Sequence, residues 1–386
     1  MTDEPSLNTA WRAPSRLQQY AIPFLFLMLG IAYASWGARL PAIRDALSLD
    51  PATLGTVLLG GGIGSVASFP LASWLVGHWG ARQGALASGI GLLLMLPALA
   101  LLHDWRLLML GMVAMGVAAS CFDVAINALG AEAERDAGRS IMSMLHAWFC
   151  VGTFIGALLG SAAAAVSMLP VWHFAVTSIG LAIPFAVTYR VLPCDRPDPN
   201  LVRKHFALPH GALVWLGMIA LMGAITEGSL SSWIALYLRD HLRASLGLAP
   251  LGYAAFAAAM LVARLSGDRL KEMMGARRLV MRGSLLAAAG LVLAVLAPSI
   301  PVAIVGFVVV GLGVAAVFPC TFSAAGREGA AALAAVATMG YSGGLIGPPL
   351  MGYVVHGFSL QAGLLLLAAT SICVAFAARL ARLLQP

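Results

Sequence analysis

Charge is scarce in this sequence. Asp, Glu, Lys and Arg make up only 10% of its 386 residues, and 60% of the chain is hydrophobic, whereas an average soluble domain carries about 25% charge. So little charge cannot cover a globule with a hydrated surface, which excludes a water-soluble domain and indicates an integral membrane protein. Cysteine is scarce as well. The five present, Cys121, Cys150, Cys194, Cys320 and Cys373, show no metal-ligand spacing, and four fall inside apolar runs. They read as small packing residues, and neither a disulfide framework nor a metal site is expected. A phosphate cradle is missing too: GGGIG at Gly60 to Gly64 lies mid-span and no Gly-Lys-Ser/Thr follows it, so ATP is excluded as a direct energy source. No His, Asp or Cys spacing supplies a nucleophile or a donor site, so neither an enzyme nor a bound cofactor is expected. The first 20 residues lack a charged leader with a cleavage site, so the first apolar run should stay as a helix.

What is present is apolar length. Windows of about 19 residues find apolar spans near 17–40, 53–77, 84–103, 106–130, 142–165, 170–191, 211–238, 249–267, 278–298, 301–325, 330–355 and 359–384. These are too long and too uniformly apolar for barrel strands, so an all-α integral membrane protein with twelve transmembrane helices is expected. The net charge of +7 could suggest nucleic acid, but its distribution points to a bilayer instead. With the N-terminus inside, 18 of the 23 Lys and Arg fall on the inner side and five outside (Arg39, Arg44, Arg106, Arg239 and Arg243). Both termini are therefore expected to be cytoplasmic. The longest polar stretch, LPCDRPDPNLVRKHFALPH at 192–210, reads as a linker. The expected division is a cytoplasmic tail at 1–16, a six-helix bundle at 17–191, the linker at 192–210 and a second six-helix bundle at 211–386.

The two halves echo each other. Gly80 to Arg82 recurs as Gly275 to Arg278, and Gly111 with Gly116 recurs as Gly306 with Gly311, both at an offset of 195. Ser35-Trp36 recurs as Ser232-Trp233 at 197, and Gly152, Ile155, Gly156 and Leu159 recur as Gly343, Ile346, Gly347 and Leu350 at 191. Pseudo-symmetric repeats of this kind are a habit of secondary transporters. With these repeats, a central linker and a Gly/basic loop after helices 2 and 8, the chain resembles the major facilitator superfamily along its whole length. That family's loop signature runs approximately G-x-x-x-D-R-x-G-R-R. GDRLKEMMGARR in the second half is similar to it, with a longer spacing, while SWLVGHWGAR in the first half has Gly77 and His78 where the acid and base should stand. The resemblance implies gating roles for Arg82, Asp268, Arg269 and Arg277. The alternative is that these groups only anchor helix ends in the headgroups.

An acid at the bilayer centre costs about 2.5–3.5 kcal/mol on insertion scales, and two stand inside the spans, Asp123 and Glu227. Asn127 follows Asp123 by one helical turn. His146, in the next antiparallel helix, falls at a similar depth, so Asp123, Asn127 and His146 are expected to form one proton-exchanging cluster; the alternative is a hydrogen-bonded pair that only joins helices 4 and 5. The D-x-x-x-N of FDVAIN resembles the E-x-x-x-N of the fucose–proton symporter branch and related small bacterial members, where the acid is a protonation site. Glu227, among Thr226, Gly228, Ser229, Ser231 and Ser232, is a second candidate for proton or solute binding, or else an acid facing a wet vestibule. Candidate solute contacts are Tyr33, Trp36, Arg39, Trp148, Ser232, Trp233 and Tyr341, with interfacial anchoring as the alternative for Arg39 and the tryptophans.

The reading these features support is a secondary active transporter of the bacterial inner membrane, moving a small polar organic solute such as a sugar by proton-coupled alternating access. The proton is the coupling ion, the bilayer and the solute are the partners, and a monomer that binds no nucleic acid is expected. Proton-driven export of amphipathic drugs or metabolites is the alternative. A transporter-like sensor is a third, of a different class.

Overall fold

A computed structural model of the chain describes residues 16–137, 141–192 and 208–385. Most of the expected tail at 1–16 and of the linker at 192–210 lies outside the described residues. Among those described there is no strand, and the elements are α1 (Arg16–Ala46), α2 (Pro51–Ala67), α3 (Phe69–Trp79), α4 (Ala81–Leu99), α5 (Trp105–Ala137), α6 (Met142–Ala165), α7 (Pro170–Val191), α8 (Leu213–Asp240), α9 (Ala249–Leu265), α10 (Gly267–Met274), α11 (Ala276–Val295), α12 (Ile300–Val314), α13 (Val317–Arg327), α14 (Ala330–Gly357) and α15 (Leu360–Leu380). Nine described stretches are long and apolar enough to cross a bilayer, α12 with α13 forming one of them, and the α2–α3 pair, bent by 40°, makes ten. The hydropathy windows predict twelve. The shortfall lies in α9, only 17 residues long, and in α14, whose Thr338, Tyr341, Ser342, Pro348, Pro349 and His356 dilute its apolar character.

The repeat is visible at the short turns. Gly80 and Gly275 both adopt positive φ, 87° and 77°, and each ends one helix while starting the next. Only glycine takes that conformation without strain. The arginines two residues on are also equivalent in position. Arg82 donates to the Tyr189 carbonyl at 2.9 Å and stacks on the Tyr189 ring, and Arg277 donates to the Arg379 carbonyl. Each guanidinium thus sits on carbonyls at the C-terminal end of the last long helix of its own half, where the helix dipole favours a cation.

Glycine also sets how the helices approach. In hydrocarbon, helix association rests on close packing rather than on expelling water. A Cβ on Gly30 would come within 2.2 Å of the Phe149 carbonyl oxygen, one on Gly152 within 2.2 Å of Leu27 O, and one on Gly156 within 2.5 Å of Ile31 O, so α1 and α6 lie backbone to backbone. Gly64 and Gly116 do the same between α2 and α5, and Gly343 between α14 and α8. These small-residue faces therefore bind helices within one half. Between the halves, α2 meets α14, α6 meets α9 and α1 meets α8, with Gly55 against Gly352 at the first of these contacts.

At the end of the bundle where α1 and α8 finish, an Arg-Asp pair closes each helix, Arg44-Asp45 and Arg239-Asp240. The pairs cross: Arg44 donates to Asp240 through its two terminal guanidinium nitrogens, Nη2 at 2.9 Å, and Arg239 binds Asp45. Nearby, Thr56 meets Tyr353 at 3.1 Å, and His356 lies 3.5 Å from Asp50. Asp50 also caps α2, accepting from the N–H groups of Ala52 and Thr53. Its carboxyl is held below the ordinary aspartate range first by the Thr53 backbone and hydroxyl bonds. The cap's stabilisation is therefore present above that range and is lost as pH falls through the lowered value. We call this the latch end, and the opposite end, where α1 begins and α15 finishes, the tail end.

Gly152→Val should cost about 1–3 kcal/mol or more and lower the melting temperature of the purified protein, whereas Gly180→Ala, with nothing within 4 Å of its Cβ position, should leave it unchanged or slightly raised. Arg44→Asp should destabilise the latch end, and adding Asp240→Arg should recover part of the loss. A double-mutant cycle by thermal denaturation should read a coupling of about 0.5–1 kcal/mol.

Candidate functional site

A cavity of about 350 Å³ lies between the halves. Tyr33, Trp36, Ser65 and Phe69 line it from the first half together with Met112 and Met115, and Ser231, Ser232, Tyr341, Leu345 and Pro348 line it from the second. The polar side chains among its lining residues carry hydroxyls and, at Trp36, an indole N–H, and its walls are aromatic and apolar, the usual make-up of a small-molecule site. Tyr33 Oη and Ser231 Oγ stand 3.4 Å apart across the seam. The ion pairs and side-chain bonds that the described residues make across the seam lie at this height or at the latch end.

Tyr33, Trp36, Ser232 and Tyr341 of the candidate solute contacts do line the cavity. Trp36 is buried and its indole N–H has no hydrogen-bond partner among the described residues. Trp233, its counterpart in the repeat, is not a cavity residue: it is wholly buried, and its Nε1 donates to the Pro348 carbonyl at 3.2 Å. Trp148 is likewise packed against the apolar core. Arg39 does not reach out to the headgroups. It is buried and donates to the Met168 carbonyl in the turn between α6 and α7, which fixes it inside the first half and away from the cavity.

Asp123 and Asn127 lie one turn apart on α5, and Asn127 Nδ2 donates both to Asp123 Oδ1 at 2.9 Å and to the Asp123 carbonyl at 2.8 Å. Tyr341 is the cavity residue within electrostatic range of Asp123. His146 does not join this pair. Its depth matches, 19 residues from the end of α6 against 18 from the start of α5 for Asp123, but its neighbours differ. The glycine face of α6 holds that helix against α1, while α5 packs on α2 and α4. The His146 ring therefore meets Phe26 edge-on at 5.4 Å and lies within range of Arg264.

Arg264 is the residue that hydropathy reading missed. Counted along α9 alone it looks like a basic anchor near a helix end. After the break at Ser266, however, α10 carries the chain on to Met274, so Arg264 stands 15 residues below the latch-end start of α9. Cys150 stands 15 residues from the end of α6, and Tyr33 and Glu227 each stand 13 from the ends of α1 and α8. At 1.5 Å per residue all four share a level about 20 Å deep. There Arg264 Nη2 is 3.4 Å from Glu227 Oε1 and Nη1 is 2.9 Å from Cys150 Sγ. Arg264 Nε and Glu227 Oε2 are buried without a hydrogen-bond partner among the described residues. A charged residue inside a span with an apolar neighbourhood on one side was the available signal. The break of the helix at Ser266 hid it.

Of the gating candidates, Arg82 bonds to Tyr189 and Arg277 to the Arg379 carbonyl, each within its own half. Arg269 is exposed, and the Asp268 side chain lies outside the described residues.

Comparison with known proteins agrees with this architecture. Residues 24–328 match the family model described as Major Facilitator Superfamily. An uncharacterised MFS-type transporter of Yersinia pestis is 32% identical over 370 residues, covering 95% of this chain and 96% of that protein. An uncharacterised transporter of Sinorhizobium fredii is 32% identical over 350 residues, covering 87% and 90%. The crystal structure of nucleoside transporter NupG superposes with a TM-score of 0.72 at 17% identity, covering 95% of this chain and 98% of that one, which is a likeness of fold. With two glycine-welded halves around a shared cavity, a family match over most of its length and transporter relatives along nearly all of it, this chain is a multi-pass membrane protein of the major facilitator superfamily.

Proposed function

We propose that the protein is a proton-coupled secondary transporter of a small polar organic solute with sugar-like character. The observation that carries this is Asp123, a carboxyl inside a membrane helix whose hydrogen-bonded side-chain partner among the described residues is the neutral Asn127 and which lies within range of the cavity residue Tyr341. A neutral partner leaves the acid free to change charge, whereas a fixed ion pair would hold it ionised. The aromatic faces of Tyr33, Trp36 and Tyr341 and the hydroxyls of Ser231 and Ser232 suit a ring-shaped polar solute. The nucleoside specificity named for the structural relative NupG and the D-x-x-x-N likeness to the fucose–proton symporter branch point the same way.

In this reading α9 with α10 and α14 complete a set of twelve spans, and both tails face the cytoplasm of a bacterial inner membrane. The latch end is then external, and the conformation is closed to the outside. The two halves rock about the cavity, and the Arg44, Asp45, Arg239 and Asp240 pairs part when the outer side opens. A second reading, proton-driven export of amphipathic compounds, draws support from the apolar part of the lining, Leu58, Met112, Met115 and Leu345.

In proteoliposomes, Asp123→Asn should reduce uptake of L-fucose, D-glucose or uridine driven by a pH gradient by more than about tenfold, while counterflow at equal pH persists. Full proton-driven uptake by this variant overturns the coupling role.

A further inference from the structure

The charged cluster beside the cavity is built from both halves and is underused by its own partners. Cys150 comes from α6, Glu227 from α8 and Arg264 from α9, and Tyr33 of α1, itself a cavity-lining residue, lies within range of Glu227. A guanidinium offers five N–H donors and stays charged in protein interiors. Here it meets one carboxylate oxygen at the long distance of 3.4 Å and a thiol, which is a weak acceptor, while Nε has nothing. A buried Arg–carboxylate pair committed to holding helices together would be expected as a short two-pronged contact. Glu227 also keeps an unpartnered oxygen, and both side chains retain some exposure, 13% for Arg264 and 23% for Glu227. The pair is therefore loosely held and keeps unmade hydrogen bonds that another anion could take.

We propose that Arg264 receives the carboxylate of an organic monoanion carried by the protein, and that Glu227 is the protonatable counter-ion that yields the guanidinium to it. The inference rests on the reading that the cavity is the solute path. The step balances in charge. One proton adds to a Glu227 carboxylate oxygen, the contact with Arg264 breaks, and the two oxygens of the incoming carboxylate accept from Arg264. The site is neutral before, with guanidinium and carboxylate, and neutral after, with guanidinium, carboxylic acid and bound carboxylate. A buried guanidinium is thus never left without a counter-charge, a state that would cost several kcal/mol. The proton taken by Glu227 and the carboxylate taken by Arg264 therefore enter this site together and without change in its net charge, separately from any proton carried at Asp123. A neutral sugar cannot replace the lost counter-ion, and a dianion such as a phosphate monoester would leave an unbalanced negative charge.

The titratable groups around Glu227 come from three elements: Tyr33 from α1, Cys150 and His146 from α6, and Tyr253 with Arg264 from α9. On the sides covered by α14 and α15, the contacts of this part of α8 are Gly344 opposite Gly228 and Thr370 bonded to Thr226, neither of which titrates in the working range. Glu227 is therefore the acid of this cluster.

The test uses purified full-length protein and matched charged and neutral probes: D-glucuronate against D-glucose, lactate against propane-1,2-diol, benzoate against benzyl alcohol, and inorganic phosphate alone. Thermal shift and calorimetric titration at about pH 5.5 and about pH 8 should find at least one carboxylate that binds while its neutral partner does not, with affinity about tenfold weaker at the higher pH. In Glu227→Gln the same carboxylate should bind equally at both pH values. Arg264→Gln leaves Glu227 without its counter-ion and can fail to fold, so the double variant Arg264→Gln/Glu227→Gln, which removes both charges, is the folded control and should lose carboxylate binding by more than about tenfold. Carboxylates and neutral probes behaving alike, tighter binding of phosphate than of any carboxylate, or binding retained in the double variant each overturns the proposal. Proton-driven uptake of neutral solutes with no carboxylate bound by the wild-type protein overturns the carboxylate site and leaves the transporter reading standing. Arg264-dependent carboxylate binding without flux in proteoliposomes keeps the site and removes the transport reading.

Discussion

Hydrocarbon offers an apolar side chain no reward for turning inward, and the rest of this fold follows from that constraint. What holds the helices is proximity of backbones, and proximity needs residues without a Cβ. Gly30, Gly152 and Gly156 bring α1 and α6 together, Gly64 and Gly116 bring α2 and α5 together, and Gly343 sets α14 on α8. Because these contacts join helices of the same half, each half is stiff. Glycine also brings backbones together across the seam, at Gly55 against Gly352, Gly37 against Ser231 and Gly62 against Leu345, and polar contacts join the halves beside them.

Those polar contacts occur at two heights. At the latch end the Arg-Asp dipeptides of α1 and α8 exchange partners in a pseudo-symmetric cross, partly open to solvent, where ion pairs are weak and easily exchanged for water. At mid-height Arg264 reaches across to Cys150 while keeping Glu227, and there the low dielectric makes every charge depend on a partner. The two halves are unequal at this level. The first contributes Asp123 with only an amide beside it, the second an acid already facing a guanidinium. A single acid with a neutral neighbour and an acid shared with a cation respond to protonation differently.

Much of this was legible in the sequence. The apolar windows located most of the helices, and the offset of 195 between Gly80 and Gly275 marked two turns that share a positive φ. The acids inside the spans stood out because their cost in hydrocarbon is large. Where the sequence misled, it did so through adjacency and continuity. His146 has the depth of Asp123 but not its neighbours, since consecutive helices need not pack side by side. Arg264 lies close to the end of α9, and only the continuation of the chain as α10 beyond Ser266 shows that it stands deep in the span. Trp36 and Trp233 occupy equivalent repeat positions, yet one lines the cavity and the other is sealed against Pro348.

Composition and hydropathy alone determined that this chain belongs in a bilayer, that it is helical, and that it repeats itself, because each of these depends on residues near one another in the chain. Which polar groups face each other depends instead on how helices rotate and cross, and that is set by glycine contacts between segments far apart in sequence. The Arg-Asp cross, the pairing of Glu227 with Arg264 and the separation of His146 from Asp123 were therefore decided only in three dimensions. FDVAIN placed an acid in the membrane with Asn127 one turn away as its hydrogen-bonded companion, and the packing of α5 on α2 and α4 kept His146 apart from it.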